Sequence, residues 1–410
     1  MIIPACRVCD NRELIPVLDL GEQALTGVFP RSREEVVPEF PLELVKCSPS
    51  GCGLVQLRHT PDPGLMYGEG YGYRSGIRPF MVDHLRGKVE SVRRRVELGA
   101  GDIVVDIGSN DATLLRSYPD AGLRRVGIDP TGGKFRDRYP DDAELIVDYF
   151  SRDVFTERFG DERARVVTSI AMFYDLPDPL AFMRDVRDIL ADDGVWLMEQ
   201  SYLPSMLEAD AYDIVCHEHL EYYALRQIEW MAERVGLTVL SAEITDVYGG
   251  SLCVTLARST SPHTVDENGL DRVRALESQA KIDTMAPFET FARRVEHQRD
   301  ALRSFLADSL DAGRLTAGYG ASTKGNVILQ YCGITERELP CVGEVSPEKA
   351  GRFTPGTRIP IVSEEEAKAM RPDQLLVLPW IYRKGFVERE RDFLASGGRL
   401  VFPLPELDTV

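Results

Sequence analysis

The sequence predicts an α/β protein with two Rossmann-like units and a small β-rich module ahead of them. An apolar strand, a glycine turn and a helical stretch follow one another in "DIVVDIGSNDATLL", where "TLLRSYP" predicts the start of a helix, and again in "RLTAGYGASTKGNVILQYCGI". Strands that alternate with helices are typical of parallel, doubly wound sheets. Near the N-terminus, proline, glycine and short apolar pieces such as "LELVKC" and "CGLVQL" favour brief strands joined by turns.

A chain of 410 residues is long enough for two to four domains of ordinary size. We expect the β-rich module at residues 1–75, the first Rossmann-like unit at 76–260, and the second unit at 261–410. The third segment begins with a charged stretch, about 264–310, whose apolar positions recur at helical spacing and predict one or two connecting helices.

The net charge of −18 argues against nucleic acid or an anionic membrane as the main partner, because both carry negative charge. An anionic small molecule would therefore need a local cationic or amide-lined pocket. The N-terminal sequence "MIIPACRVCD" does not resemble a secretory leader, and no apolar run approaches the length of a membrane span. We expect a cytoplasmic protein; its oligomeric state is left open, a monomer included.

Four cysteines in the N-terminal module form two closely spaced pairs, "CRVC" and "CSPSGC". Thiolates spaced in this way can complete a tetrahedral zinc site, and the metal adds folding energy that a small module lacks. Four buried free cysteines are the alternative, whereas a redox site is less favoured because no βαβ pattern follows the first pair. The predicted structural Zn²⁺ ligands are Cys6, Cys9, Cys47 and Cys52.

The first glycine turn, "VVDIGSNDATLL", lacks the G-x-G-x-x-G spacing that suits a dinucleotide pyrophosphate. A cofactor without phosphates, such as S-adenosylmethionine, needs close backbone approach at the glycine and carboxylates for its ammonium group and ribose hydroxyls. Asp129 ends the next strand, where an acidic residue would bind the ribose, and Asp148 is a candidate contact for the adenine. Solvated loop carboxylates are the alternative. The predicted cofactor-binding residues are Asp106, Gly108, Asn110, Asp129 and Asp148.

In chain order, the four-cysteine module, "DIGSNDATLL", "TSIAMFYDLPDP", "CHEHLEYY" and "GYGASTKGN" resemble the sugar C-methyltransferases of bacterial deoxysugar pathways. The resemblance extends over nearly the whole chain. It implies a zinc-binding N-terminal domain, a central class I methyltransferase domain, and a C-terminal Rossmann-like domain that helps to hold a nucleotide-linked keto-sugar. Two positions depart from the family: Ala112 replaces a glycine of the first turn, and Cys216 replaces a tyrosine that several members carry before His-Glu-His.

The resemblance implies methyl transfer to carbon, typically C-3 of a dTDP-4-keto-deoxysugar. Such a reaction needs a base that removes a proton next to the ketone, and a histidine near its ordinary pKa of about 6.5 is suited to that task. In "CHEHLEYY" the histidines are two positions apart, which does not match the H-E-x-x-H spacing of catalytic zinc sites. By resemblance, His219 is the base, Glu218 orients or charges it, and Tyr73 lies near the sugar. His217 is a nearby support or a hydrogen-bond donor to the sugar, with a scaffold histidine as the alternative.

The second glycine turn, "GYGASTKGN", is not a Walker A motif, because its hydroxyl residues precede the lysine. It places polar groups and a cation at a helix N-terminus, which is a suitable binding place for a diphosphate, although a capping turn with a solvated lysine is the alternative. The predicted substrate-binding residues are Tyr222, Ser322, Thr323, Lys324 and Asn326.

The sequence therefore predicts an S-adenosylmethionine-dependent C-methyltransferase that acts on a nucleotide-linked keto-sugar for antibiotics or cell-surface glycans. O- or N-methylation of a related sugar needs no carbon acid and is the enzymatic alternative. A zinc-containing module that only binds a nucleotide-sugar is the non-catalytic one.

Overall fold

The computed structural model describes residues 1–66, 74–119 and 121–410, and its strands form three sheets. The first sheet lies in the N-terminal module and is antiparallel, so the predicted strand-rich character of this segment is confirmed. Its N-terminal elements are β1 (Leu14–Ala24), β2 (Glu39–Cys47), β3 (Val55–Leu57) and the short α1 (Pro63–Met66). Buried apolar residues on β2, including Leu42 and Leu44, form its core.

The second sheet has seven strands and is the larger Rossmann-like unit. Its part of the chain contains α2 (Pro79–Arg95), β4 (Ile103–Ile107), β5 (Arg124–Ile128), β6 (Ala143–Ile146), α3 (Arg152–Phe159), β7 (Ala164–Ile170), α4 (Pro179–Ile189), β8 (Leu190–Ser201), α5 (Leu203–Glu208), β9 (Glu221–Tyr222), α6 (Leu225–Val235), β10 (Leu237–Thr245) and β11 (Ser251–Arg258). The strand order is β10-β11-β8-β7-β4-β5-β6, and β11 runs antiparallel to both of its neighbours. The strand order reverses at β4, so the carboxyl ends of β4 and β7 flank a crevice for ligands.

The third sheet is the smaller Rossmann-like unit, and two helices lead into it as predicted. Its elements are α7 (Glu267–Ala280), α8 (Ala286–Asp311), β12 (Thr316–Tyr319), α9 (Thr323–Tyr331), β13 (Val342–Glu344), β14 (Ile361–Ser363), α10 (Glu364–Ala369), β15 (Gln374–Val377), α11 (Arg383–Arg389), α12 (Arg391–Ala395), β16 (Arg399–Phe402) and β17 (Asp408–Thr409). The order β14-β13-β12-β15-β16-β17 reverses at β12, which places the N-terminus of α9 at the ligand-binding edge. The α/β fold class is thus confirmed.

The helix predicted from "TLLRSYP" is wrong, because the chain forms only one 3₁₀ turn, Leu115–Ser117. Tyr118 is already extended, with φ −72° and ψ 140°. The cause is Pro119, whose ring disfavours helical backbone in the residue before it.

The shortest strand, β9, leaves the second unit and pairs antiparallel with β3, so it becomes the edge of the N-terminal sheet. This strand belongs to "CHEHLEYY", and the pairing attaches that segment to the cysteine module. In the described part of the chain, no helix combines the length and apolar character that a membrane crossing requires.

Candidate functional site

The four N-terminal cysteines meet at one end of the first sheet. Their sulfur atoms all lie within 4.8 Å of one another, with 3.6 Å between Cys6 and Cys52 and 3.5 Å between Cys9 and Cys47. Four sulfurs at 2.3 Å from a tetrahedral zinc ion would be about 3.8 Å apart, so the cluster fits the metal. Gly51 lies against it: an added Cβ would be 2.5 Å from Cys47 Sγ and 2.9 Å from Cys9 Sγ.

The predicted cofactor turn is organised around two buried carboxylates. Asp106, near the end of β4, accepts a hydrogen bond from Thr168 Oγ1 at 2.6 Å, and burial raises its pKa to about 7. Asp129, just after β5, accepts the backbone N–H of Asn110 at 2.7 Å and that of Thr131 at 2.6 Å. Gly108 adopts φ +71° in the turn between them, a conformation that favours glycine.

Two further residues of this region are a buried alanine in the turn, Ala112, and an exposed aspartate after β6, Asp148. Ala112 is fully buried and adopts φ +59°, which explains why a glycine suits this position in the family it resembles. Asp148 is exposed and accepts only the adjacent N–H of Tyr149, at 2.7 Å, among its described contacts. The structure therefore brings Asp106, Asn110 and Asp129 together, whereas an adenine contact by Asp148 stays a prediction.

His219 is held in one tautomer by its backbone surroundings. Its Nδ1 lies 2.8 Å from the carbonyl oxygen of Ile214, which can only accept, so Nδ1 carries the proton and Nε2 presents a lone pair. Its ring packs on Tyr174, with 4.3 Å between the centroids. Burial, together with the positive charge of Lys324, lowers the pKa of His219 to about 3. The ring is thus neutral with a free lone pair, but in the free protein it is a weaker base than the histidine of ordinary pKa, about 6.5, that the sequence led us to expect.

Glu218 faces the N-terminal module. Its Oε2 accepts a hydrogen bond from Thr26 Oγ1 at 3.4 Å, and a Cβ added to Gly27 would come within 2.5 Å of its Oε1. The thiol of Cys216 also donates to Glu218, and burial raises the pKa of the carboxyl group. Cys216, the residue that departs from the family pattern, is therefore a buried partner of Glu218.

The remaining polar residues of "CHEHLEYY" attach the segment to its surroundings. His217 is fully buried, and its Nε2 donates to the carbonyl of Phe40 on β2 at 3.0 Å. Glu221 is buried against the guanidinium of Arg7, with Nε to Oε1 at 3.4 Å. The Tyr222 hydroxyl donates to the Ile214 carbonyl at 3.3 Å. These contacts favour scaffolding for His217, and a sugar contact by Tyr222 stays a prediction.

The second glycine turn reaches the same region from the third sheet. Ser322 caps α9 by accepting the Gly325 N–H at 3.0 Å, and Thr323 Oγ1 is 3.7 Å from the Cβ position of Gly27. The charge of Lys324 acts on both His219 and the buried Asp213. Asn326 is fully buried and donates from Nδ2 to the Thr26 carbonyl at 2.7 Å, so it fastens α9 to the N-terminal module.

The segment after β7 connects the cofactor turn with the histidine. Met172 Cγ lies 3.3 Å from the Cβ position of Gly108. Two residues later, Tyr174 packs against the His219 ring. The predicted cofactor turn and His219 therefore both contact residues 172–174, at the carboxyl edge of the second sheet. A base beside a cofactor turn can serve a reaction that requires removal of a proton before group transfer.

One predicted site residue, Tyr73, lies outside the described residues. Three residues that the motifs did not single out contribute to the site: Arg7, Thr26 and Asp213. Arg7 lies inside "CRVC" and could have been noted as a cation between zinc ligands. Thr26 and Asp213 have no distinguishing local pattern.

Many solved structures resemble part of this chain, and two of them illustrate the likeness. The glycopeptide N-methyltransferase MtfA, complexed with S-adenosyl-L-methionine, is 15% identical, with 45% of this chain and 95% of that chain covered and a TM-score of 0.34. The mitomycin 7-O-methyltransferase MmcR is 19% identical, with 43% and 53% covered and a TM-score of 0.32. Neither TM-score reaches 0.5, so we draw nothing from these two likenesses.

Family models and a curated relative match nearly the whole chain. The matching models are described as "Putative zinc binding domain" over residues 6–67, "Methyltransferase domain" over 81–242 and "C-methyltransferase C-terminal domain" over 246–405. The C-methyltransferase NovU of Streptomyces niveus is 33% identical over 412 residues, which cover 98% of this chain and 96% of that protein. Together with the sulfur cluster, the first match confirms the predicted zinc site.

Proposed function

Because this chain belongs to the C-methyltransferase family, we propose that it methylates the carbon next to the ketone of a nucleotide-linked 4-keto-deoxysugar. The proposed nucleotide is dTDP and the proposed carbon is C-3, and the product is a branched deoxysugar for an antibiotic or a cell-surface glycan. The observation that carries the proposal is the fixed tautomer of His219, with its basic nitrogen left as an acceptor.

The chain is an S-adenosylmethionine-dependent methyltransferase with a structural zinc site, so a module that only binds a nucleotide-sugar is set aside. S-adenosylmethionine supplies a methyl group on a positively charged sulfur, and a carbon nucleophile can displace that sulfur. In our proposal the residues that would hold the cofactor are Asp106, Gly108, Asn110 and Asp129.

The chemistry proposed for His219 begins with its Nε2 lone pair. This nitrogen would take the proton from the carbon beside the ketone, and the electron pair of the broken C–H bond would spread onto the ketone oxygen. The Ile214 carbonyl accepts from Nδ1 throughout and would favour the protonated ring that results. Glu218, held by Thr26 and Cys216, is proposed to orient the neighbouring chain and to balance the new positive charge.

Substrate binding would also prepare the base. The charge of Lys324, second to burial, lowers the pKa of His219 in the free protein. A diphosphate bound at the N-terminus of α9 would neutralise that charge, and His219 would become a stronger base when the substrate is in place. Such a local anion site is what a chain with a net charge of −18 requires for a nucleotide-sugar.

The test is an assay with labelled methyl donor and dTDP-, GDP- and CDP-linked 4-keto-sugars, followed by NMR of the product. We expect methylation of the dTDP-sugar at C-3. A methyl group at C-5, the other carbon next to a C-4 ketone, would correct the position, and one on oxygen or nitrogen would contradict carbon methylation. His219→Gln should lower kcat by about 100-fold or more, while His263→Gln should not.

The same sample separates carbon methylation from the O- or N-methylation alternative. Carbon methylation needs a carbanion, so incubation in deuterated water should introduce deuterium next to the ketone before the methyl group arrives. Transfer to oxygen or nitrogen would proceed without this exchange. A nucleotide-sugar substrate and four reduced zinc-binding thiols also suit the cytoplasmic location that the sequence predicts.

A further inference from the structure

A buried cluster of charged side chains lies at the carboxyl end of β8 and has no part in the mechanism described above. His84 Nε2 is 2.5 Å from Glu199 Oε1, and Lys88 Nζ is 2.6 Å from Glu199 Oε2. Lys88 also contacts Glu243 Oε1 at 2.9 Å. The side chains of Glu199 and Lys88 are 2% and 6% exposed, whereas that of Glu243 is 60% exposed.

A carboxylate buried this deeply requires partners for both oxygens, and Glu199 has them. Although burial opposes ionisation, the hydrogen bond from His84 and the charge of Lys88 together lower the pKa of Glu199. Lys88 balances the negative charge of Glu199 at Oε2, and Oε1 of Glu199 holds the imidazole ring of His84. The side chain of His84 remains 13% exposed, so the ring is bound to Glu199 and part of it is still accessible.

The cluster lies at the same edge of the sheet as the cofactor turn. Just before α2, which carries His84, the N–H groups of Ser75 and Gly76 donate to Asn110 Oδ1 at 3.0 Å and Asp111 Oδ2 at 3.1 Å. The carbonyl of Glu199 accepts from the backbone N–H of Ala171 at 2.7 Å.

Ala171 begins the segment that contacts both Gly108 and His219, through Met172 and Tyr174. It adopts φ +54°, an uncommon conformation for a residue with a Cβ, and such residues cluster at active sites. Through Glu199, His84 is therefore anchored at the carboxyl edge of the sheet, the edge at which ligands bind in this fold.

We propose that His84 is a second active-site group, which Glu199 orients through Nε2 and which donates from Nδ1 to the ketone oxygen as that oxygen gains negative charge. This role rests on the proposed carbon methylation. His219 removes the carbon-bound proton, and the electron pair of the broken C–H bond moves toward the ketone oxygen. His84 keeps its own proton throughout, and its hydrogen bond weakens again when the new carbon–carbon bond restores the ketone. Hydrogen bonds aimed at such an oxygen stabilise the transition state.

The experiment compares His84→Gln with the wild-type protein in two assays: deuterium exchange beside the ketone with S-adenosylhomocysteine bound, and methyl transfer. Loss of an oxyanion donor should slow both reactions by about 100-fold. The affinity for S-adenosylhomocysteine and the melting temperature should stay unchanged. Glu199→Gln should slow both reactions in the same way, because a neutral amide is a weaker partner than a carboxylate for the imidazole ring. It provides a second route if one variant folds poorly.

Two matched controls accompany these variants. His263→Gln removes a histidine that hydrogen bonds to Asp193 at the opposite end of β8, and Glu243→Gln removes the outer partner of Lys88. Neither control should alter exchange or transfer. Slower transfer with normal exchange in His84→Gln would show a role in donor placement and overturn the proposal, as would weakened S-adenosylhomocysteine binding or an unimpaired variant. Wild-type protein that is inactive on every keto-sugar would overturn the proposed function first, and this role with it.

Discussion

At the residue scale, Gly51 shows how tightly the zinc ligands are packed. The position where a Cβ would lie is 2.5 Å from one ligand sulfur, 2.9 Å from another and 2.8 Å from Asn11 Nδ2. Because real Cβ atoms do not approach so closely, Gly51→Ala must displace Cys47 or Cys9. We expect the variant to retain less zinc per chain than the wild-type protein, as measured by elemental analysis after dialysis.

Gly385→Ala is the matched control, because it lies in α11 and an added methyl group there has no atom within 4 Å. It should retain zinc fully and be slightly more stable, by about 0.5–1 kcal/mol, since alanine is favoured over glycine inside helices. A Gly51→Ala protein with wild-type zinc content would show that the cysteines do not bind metal in the described arrangement.

The sequence could single out individual residues where few functions use that residue type at that spacing. The cysteine pairs and the carboxylates that follow strands could be identified because few other roles require those residue types at that spacing. Thr26 and Gly27, by contrast, contact Glu218 only because a loop distant in sequence folds onto it. Their sequence context, "LTGV", has no feature that distinguishes it from any surface turn.

At the element scale, α9 is the helix whose N-terminus acts on His219, the proposed base. Lys324 lies in its first turn, and its charge, after burial, contributes to the low pKa of His219. A general base works in its unprotonated form, so activity falls as the pH drops through its pKa. Lys324→Gln removes a positive neighbour and should raise the pKa of His219 from about 3. The acid limb of kcat/KM should therefore shift to higher pH.

The measurement is a pH profile of kcat/KM, which reports groups of the free enzyme, and it must extend from below the His219 pKa of about 3 up to about pH 8. The KM for the nucleotide-sugar should rise as well, because the proposed diphosphate contact is lost. Lys368→Gln is the control, since that lysine pairs with Glu390 in the third sheet unit. Acid limbs that coincide in wild type and Lys324→Gln would contradict the assigned electrostatic contact.

Element identities followed from local patterns, and the two errors have different causes, one local and one long-range. Alternating strands and helices predicted both parallel sheets, because the apolar periodicity of a strand differs from that of a helix. The helix expected at "TLLRSYP" failed because Pro119 fixes extended backbone at Tyr118. The strand β9 was not predicted, because two residues carry no periodicity and its pairing with β3 joins distant parts of the chain.

At the scale of the whole molecule, the three sheet units meet around "CHEHLEYY". The N-terminal module contributes Thr26 to Glu218 and Arg7 to Glu221, and Gln227 at the start of α6 donates to the Cys52 carbonyl at 3.0 Å. From the third unit, Gln330 on α9 exchanges two hydrogen bonds with the backbone of Ala24, at 2.8 and 3.2 Å. The zinc module therefore supports the segment that carries the proposed base. The residue limits predicted for the three domains stay predictions.

If His219 is the base, we expect this arrangement to make catalysis depend on a metal that does not take part in the chemistry. Four free thiols in place of a zinc site would loosen the loops around Cys6 and Cys52, and the Arg7–Glu221 pair with them. An unpaired buried carboxylate costs about 3–5 kcal/mol, so β9 should detach from β3 and leave Glu218 and His219 misplaced. The cofactor turn rests on β4, β5 and β7 and has no such dependence.

Zinc removal by a chelator should therefore abolish methyl transfer while leaving S-adenosylhomocysteine binding intact. Calorimetry with the cofactor product and the labelled-methyl assay would measure the two properties on one sample, and added zinc should restore the transfer activity. Equal loss of both properties would mean that the module stabilises the whole chain, whereas full activity of the zinc-free protein would mean that β9 holds its place without the metal. Only selective loss of methyl transfer agrees with a zinc module that positions the proposed base.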